Sequence, residues 1–164
     1  MSAASPSPRP LDDAECRHLL GTATIGRISF TAGALPTIDP VPFALHAGQV
    51  IIPARRGSPL VQAIRGAVVA FGVDCFDPET ETGWSVTVVG PSTVLGDPGA
   101  VGALRVAGLP DRWTDADRCL ITVQVGLLSG WRAGERNHGG PDRIREPSAP
   151  RGTVRSSDGE EAPG

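Results

Sequence analysis

The sequence predicts a mainly β domain in which about six strands form a small, largely antiparallel barrel with short helices between some of them. One observation is the segment 67–95, AVVAFGVDCFDPETETGWSVTVVGPSTVL, in which two long strand-like runs flank a polar turn. A second is that most other strand-like runs are also separated by tight turns, which join antiparallel neighbours. A barrel is favoured because closure removes exposed strand edges.

The segment 67–95 is the clearest hairpin. Its first run alternates with a period of two, which is typical of a half-buried strand: Val69, Phe71, Val73 and Cys75 share one face, and Ala70, Gly72 and Asp74 share the other. The second run, 84–89, is rich in β-branched residues, which fit a pleated surface. The turn between the runs is acidic, and we expect it to be solvated.

The N-terminal part of the chain predicts a leader followed by a short helix. Residues 1–10 are rich in Ser, Pro and Ala, and we expect a disordered leader. Asp12 and Glu15 have the spacing of a capping box, and Leu11 and Cys16 have the spacing of a hydrophobic staple. Together these four residues predict the start of an amphipathic helix.

Three strands follow before the hairpin, over 22–30, 35–45 and 50–52. The second, LPTIDPVPFAL, contains three prolines, each of which removes a backbone donor from the ladder. It is therefore expected to be an edge strand, to contain a bulge, or to turn its backbone towards a ligand.

The loop 53–58 precedes a predicted helix over 59–65, with Ser58 as its N-cap and Pro59 in its first turn. Arg55, Arg56 and the Ser58 hydroxyl, next to a helix start, are the groups that bind phosphate. An exposed basic loop without a ligand is an equally good interpretation of so short a motif.

After the hairpin, the apolar periodicity that predicts helices and strands is weaker. A helix is predicted around 101–105, a turn or helix start at 114–117, and a last strand over 119–125, which 127–132 completes. Residues 133–164 have few sizeable apolar side chains and are predicted to be disordered. The folded domain is therefore expected to span 11–132.

Composition excludes several functional classes. The formal net charge of −3 gives no argument for nucleic-acid binding, and no apolar run is long enough for a transmembrane helix. The N-terminus does not have the pattern of a secretory signal. Three scattered cysteines predict small buried residues in a reducing compartment, so we expect a cytoplasmic protein. All 15 basic residues are arginine.

Side chains for catalysis or metal binding are not evident. His18, His46 and His138 have no partner at ligand spacing, so we expect no metal site, and no hydrolase motif is present. Trp84, at the start of the second hairpin strand, is interpreted either as a core residue or as a contact to a planar ligand or partner subunit. The same alternative interpretations apply to Trp131.

The order of four segments resembles the pyridoxamine 5′-phosphate oxidase-like proteins, particularly flavin- or deazaflavin-binding members related to nitroimidazole-resistance proteins. The segments are LDDAECRHLLGTATIGRISF, LPTIDPVPFAL, GQVIIPARRGSPLVQAIRGAVVAFGVD and TGWSVTVVGPSTVL. The resemblance covers about 11–132 and implies a six-stranded split barrel that is a homodimer, with FMN in a groove at the interface. The cofactor-binding residues that it implies are Pro53, Arg55, Arg56, Ser58, Trp84 and Ser85. The prolines of 35–43 would lie beside the isoalloxazine ring.

One residue departs from the family pattern. Many members have a lysine where this chain has Pro59, so an arginine would have to bind the phosphate. Deazaflavin F420 and haem are therefore alternative cofactors. The resemblance implies a flavin-dependent oxidoreductase acting on a small planar substrate, with no catalytic side chain needed. The alternative is a non-catalytic flavin, deazaflavin or haem binding protein on the same fold.

Overall fold

The computed structural model describes residues 8–134, which form nine strands, three short helices and one 3₁₀ turn. The helices are α1 (Asp13–Thr22), α2 (Pro59–Ala63) and α3 (Pro98–Val106), and the 3₁₀ turn is Asp111–Trp113. The strands are β1 (Arg9–Pro10), β2 (Ile25–Ala32), β3 (Leu35–Pro42), β4 (Ala44–His46), β5 (Gln49–Arg55), β6 (Val68–Asp77), β7 (Thr82–Leu95), β8 (Arg118–Gln124) and β9 (Leu127–Ala133).

All strand pairs are antiparallel, in the order β3-β2-β6-β7-β8-β5-β4, while β9 pairs with β7 and β1 pairs with β9. The two ends of this order, β3 and β4, are consecutive in the chain and are joined through Phe43. The sheet therefore curls back on itself without closing, because β3 and β5 are neighbours in space without being joined in a ladder. The predicted antiparallel, mainly β architecture is confirmed.

Strand β7 belongs to both halves of the curled sheet. Residues 83–89 pair with β9, and residues 92–95 pair with β8, while 82–91 pair with β6 along the other edge. Gly90 lies where the pairing changes, and the backbone N–H of Gly126 donates to the carbonyl of Val89. A Cβ at Gly90 would lie 1.9 Å from the carbonyl oxygen of Gln124. Only glycine allows the two backbones to approach this closely.

The core follows the predicted alternation. Val69, Phe71 and Val73 of β6 are buried opposite Val86 and Val88 of β7. They belong to one large apolar cluster that fills the curled sheet and is covered at one end by α1. A smaller cluster lies under α3 and contains Ile51, Leu104, Leu109, Trp113 and Leu120.

Helix α1 begins with the predicted capping box. The Asp12 carboxylate accepts from the Glu15 N–H, and the Glu15 carboxylate accepts from the Asp12 N–H. Glu15 also binds Arg9 at 2.7 Å. The Arg9 hydrogen bond, followed by the Asp12 N–H, lowers the pKa of Glu15 to about 2. The staple residues Leu11 and Cys16 are both buried in the large cluster.

Ser92 of β7 fixes the segment after α2. It is one of two buried polar residues in the described part of the chain, and its hydroxyl lies 2.7 Å from the Ile64 carbonyl and 2.9 Å from the Ala67 carbonyl. Its backbone N–H also donates to Ala67. Because these carbonyls lie beyond the last turn of α2, Ser92 connects that helix to the sheet.

The structure corrects several predictions about individual elements. The strand expected over 35–45 is divided at Phe43 into β3 and β4, so there are more strands than six. Arg9 and Pro10, predicted to be part of a leader, pair with β9, and Ala133 extends that strand. Cys75 is exposed, because β6 continues beyond the core there. The rest of the predicted leader and tail, 1–7 and 135–164, lies outside the described residues.

The prolines of the predicted second strand have a simple explanation. Strand β3 ends the sheet order, so one of its edges has no ladder partner among the described strands. The edge-strand interpretation of LPTIDPVPFAL is thus confirmed.

Within residues 8–134, none of the helices combines the length and the hydropathy that crossing a bilayer requires.

We predict that Gly90→Ala lowers the free energy of unfolding by about 3 kcal/mol or more, because its methyl group would overlap the Gln124 carbonyl. Gly102→Ala in α3 is the control, since nothing lies within 4 Å of its added Cβ. This second change should stabilise the protein by about 0.5–1 kcal/mol. Urea denaturation of both variants measures the difference, and equal stabilities would contradict the proposed close approach at Gly90.

Candidate functional site

A groove of about 600 Å³ lies at the opening of the curled sheet, between β3 on one side and the end of β5 with α2 on the other. Its size lies within the usual range of cofactor pockets. Its lining residues are Phe30, Ala32, Thr37, Asp39, Pro40, Val41, Ala54, Arg55, Ser58, Pro59 and Leu60. The groove exists because β3 and β5 are neighbours that do not form a ladder.

The loop at one end of the groove is fixed by its own hydrogen bonds. The Ser58 N–H donates to the Arg55 carbonyl at 3.1 Å, and Gly57 adopts the left-handed conformation with φ of +74°. The Gln62 side-chain amide donates to the Gly57 carbonyl at 2.9 Å. The backbone between Arg55 and Ser58 is thus held by one tight turn and one side chain of α2.

Two side chains of this loop offer hydrogen-bond donors to the groove. Ser58 caps α2, because its Oγ accepts from the Val61 N–H, as predicted. A hydroxyl that accepts still has its own hydrogen to donate. The Arg55 guanidinium is largely exposed, and its Nε lies 3.9 Å from the Asp117 carboxylate, a weak surface pair. Arg55 can therefore turn towards an anion at little cost.

The remaining lining is mainly apolar, with two polar side chains on β3. Phe30, Val41 and Leu60 are buried side chains that form flat apolar walls. Thr37 and Asp39 lie on the same face of β3 as Val41, and both are half-buried. The groove therefore offers cationic and hydroxyl donors at the α2 end, apolar walls, and acceptor oxygens on β3.

This donor set fits a phosphorylated planar cofactor. A guanidinium and a hydroxyl match a phosphate group, apolar walls match an aromatic ring, and acceptor oxygens match ring N–H or sugar hydroxyl groups. The residues present therefore fit a flavin mononucleotide unit. Arg55 and Ser58 would bind its phosphate, without the lysine that Pro59 replaces.

Behind the groove, Cys119 is a buried neighbour of the lining residue Ala54. Its thiol lies 3.7 Å from the Ala54 carbonyl, and burial raises the pKa of Cys119. The thiol is therefore kept neutral and is no nucleophile here.

The structure places the six predicted cofactor residues in three regions. Arg55 and Ser58 line the groove. Arg56 points away from it, because its Nε donates to the Ala116 carbonyl at 3.2 Å and its side chain lines a separate cavity beside α3. Pro53 is buried in β5, opposite Leu120 and two residues from Ile51, on the side of the smaller core cluster. Alternation along β5 separates it from the face that carries Ala54.

Trp84 and Ser85 lie elsewhere. Trp84 is half-buried against the large core cluster and lines a cavity of about 200 Å³ with Cys75 and Arg132. Ser85 faces the opposite side of the sheet, between Asp74 and Trp131. Within one subunit these residues do not share the groove with Arg55 and Ser58.

The family resemblance placed the prolines of 35–43 beside the cofactor, but sequence reasoning missed the three side chains of β3 that line the groove. Thr37, Asp39 and Val41 occur at alternating positions of LPTIDPVPFAL, between the prolines. This period-two pattern places them on one face, but only the fold reveals that this face borders the groove.

No group of three or more potential metal-ligating side chains occurs in the part of the chain that the structure describes. His18 is exposed on α1 and His46 is half-buried at the end of β4. His138 lies outside the described residues.

Comparisons with known proteins agree with this architecture. A family model described as pyridoxamine 5′-phosphate oxidase matches residues 12–126. The uncharacterized protein Rv0080 of Mycobacterium tuberculosis is 35% identical over 128 residues, covering 74% of this chain and 83% of the relative.

Two solved structures are similar in fold. The FAD binding protein of Mycobacterium smegmatis is 27% identical with a TM-score of 0.64, covering 77% of this chain and 98% of that one. A putative 5-nitroimidazole antibiotic resistance protein of Bacteroides thetaiotaomicron is 12% identical with a TM-score of 0.60, and the match covers 80% of this chain and 94% of that one. The predicted split-barrel fold is therefore confirmed.

Proposed function

The chain belongs to the pyridoxamine 5′-phosphate oxidase family, and we propose that it is a cytoplasmic, homodimeric, flavin-dependent oxidoreductase. The observation that carries the proposal is the groove between β3 and β5, with Arg55 and Ser58 at one end. The FAD binding protein that resembles this chain supports a flavin as the ligand. Three free cysteines in the described part of the chain support a reducing compartment.

We place the phosphate of an FMN unit at Arg55 and Ser58. Arg55 supplies the charge and a planar fork of donors, and the Ser58 hydroxyl supplies one more donor from a rigid loop. Phe30, Val41 and Leu60 would exclude water from the ring. The same unit is half of FAD, so both flavins share this contact.

The chemistry assigned to the protein is binding, orientation and water exclusion. A bound flavin supplies electron transfer to or from a planar substrate. In this proposal no side chain in the described lining of the groove has to transfer a proton.

A non-catalytic flavin-binding protein is the second candidate, because the groove can hold a flavin without any catalytic side chain. Haem is less favoured than flavin in this groove. Its lining residues in the described part of the chain include no histidine, cysteine or methionine to bind iron.

The absorption spectrum of the protein, with and without added reductant, tests the proposal. We expect the purified or flavin-reconstituted protein to show bound oxidised flavin, and NADPH or a reduced deazaflavin to bleach it, followed by oxidation on adding an electron-poor planar acceptor. Flavin that binds but is reduced by neither donor would support the non-catalytic candidate. A protein that binds no flavin would overturn both.

Arg55 and Arg56 are adjacent arginines with different surroundings, which gives a matched pair of variants. We expect Arg55→Gln to weaken FMN binding about tenfold, or 1.4 kcal/mol, because a charged phosphate contact is lost. Arg56→Gln should change it by less than about twofold, since Arg56 binds the Ala116 carbonyl instead. Fluorescence titration measures both, with riboflavin as the phosphate-free control. Equal losses in the two variants would contradict the assignment to Arg55.

The proposed dimer uses the outer face of the sheet β3-β2-β6-β7-β9. Cross-strand pairing places six large apolar side chains on this face, each between 41% and 69% exposed. They are Ile25, Ile38, Val68, Phe76, Leu127 and Trp131. Small residues occupy its centre, and the Arg27–Asp74 ion pair balances its charge. A flat apolar face without excess charge suits packing against a second copy of itself.

This arrangement also gives a role to Ser85, which one subunit keeps apart from the groove. Ser85 and Trp131 lie on the outer face, and Pro40 of the edge strand β3 lines the groove. The groove therefore reaches the border of the proposed interface, where a partner subunit would complete it, as the family resemblance implies.

Two valines in different places test the dimer. Val68 lies on the outer face, whereas Val106 is exposed on α3. We expect the wild-type protein to have the mass of two chains of 17.0 kDa. Val68→Glu should shift it towards monomer, because two carboxylates would be buried at the interface, and Val106→Glu should leave the dimer intact. Sedimentation equilibrium measures the mass of the wild type and of both variants. A monomeric wild type would overturn the proposed interface.

A further inference from the structure

Asp39 is a carboxylate that the fold turns towards the groove without giving it a protein partner. It lies on the inner face of β3, half-buried between Thr37 and Val41, and it lines the groove. No hydrogen bond or ion pair joins it to any other group in the described part of the chain. A half-buried carboxylate without a partner costs free energy, so this position is not explained by stability.

Asp39 does not serve to neutralise Arg55. The ion pair that Arg55 makes is with Asp117 on the surface, at 3.9 Å. The groove therefore carries a cationic group that is weakly paired on the surface and, on the opposite wall, a carboxylate that no side chain pairs. A ligand that satisfies both must be anionic at one end and must carry hydrogen-bond donors away from that end.

We propose that Asp39 is a specificity-determining residue that accepts hydrogen bonds from the neutral donors of the flavin, namely its ring N–H or ribityl hydroxyls. This inference rests on the proposed function, which places the phosphate at Arg55. A carboxylate accepts and cannot donate, so it recognises N–H and O–H groups and repels further anionic groups. Asp39 consequently favours ligands whose negative charge is confined to the phosphate end.

The two walls should act on different parts of the ligand, and this makes the inference testable. Arg55 acts on the phosphate, which riboflavin does not have. Asp39 acts on donors that riboflavin and FMN share. A variant of Asp39 should thus weaken both ligands by the same factor, whereas Arg55→Gln should weaken FMN alone.

The experiment is fluorescence titration of the full-length protein with FMN, riboflavin, lumiflavin and F420. We expect Asp39→Ala to weaken FMN and riboflavin equally, about tenfold, which corresponds to 1.4 kcal/mol. Asp39→Asn, which keeps one acceptor oxygen, should recover part of that affinity, and F420, which shares the ribityl chain and the ring N–H with FMN, should lose affinity by the same factor as FMN. If Asp39→Ala weakens the binding of lumiflavin as much as that of riboflavin, the donor is the ring N–H. If the affinity for lumiflavin is unchanged in Asp39→Ala, the donors are the ribityl hydroxyls.

Controls separate this role from a structural one. Glu79→Gln removes a carboxylate from the exposed β6–β7 turn and should leave all affinities unchanged. Thermal unfolding without flavin should show Asp39→Ala at least as stable as the wild type, because no side-chain hydrogen bond or ion pair is lost. Wild-type affinity for FMN and riboflavin in Asp39→Ala would overturn the inference while leaving the proposed function intact. A wild-type protein that binds none of the four ligands would overturn both.

Discussion

The fold depends on strand β7 pairing with three neighbours at once. Its first half joins β6 to β9, its last four residues join β8, and the change of partner occurs at Gly90. The contact between Gly90 and the Gln124 carbonyl allows the two halves of the sheet to meet. The sheet curls around the apolar cluster with β7 shared between its two halves. The position of every other strand follows from this constraint.

The candidate site is a consequence of how that curling ends. β3 and β4 are consecutive in the chain but occupy opposite ends of the sheet order, so a gap remains between β3 and β5. On one side of the gap, Ser92 connects the end of α2 to β7 and so fixes the helix that begins at Ser58. On the other side, the prolines of β3 leave an edge without a ladder. The gap is therefore a rigid groove with a cationic side chain on one wall and an anionic side chain on the other.

Charge is distributed differently over the two functional surfaces. In the groove, Arg55 and Asp39 remain separate, which favours a ligand with an anionic end and neutral donors. On the outer face of the sheet, Arg27 and Asp74 form an ion pair, which leaves the surrounding apolar side chains free to bury against another apolar face. The same sheet thus presents a groove with charged side chains on two walls inside and an apolar surface outside, and the edge strand β3 borders both.

The sequence by itself determined the local features of this protein. The hairpin alternation, the capping box of α1 and Ser58 as the cap of α2 depend on neighbours in the chain, and each was predicted correctly. The edge position of β3 was one of three alternatives that its prolines left open, and the sheet order decided it. Only the tertiary structure decided which of these features lie close together in space. Arg55 and Arg56 are identical in type and adjacent, yet one lines the groove and the other binds Ala116. Asp39 joins Arg55 because the curled sheet brings β3 to β5. Such contacts depend on the direction of side chains across distant strands, which no local pattern specifies.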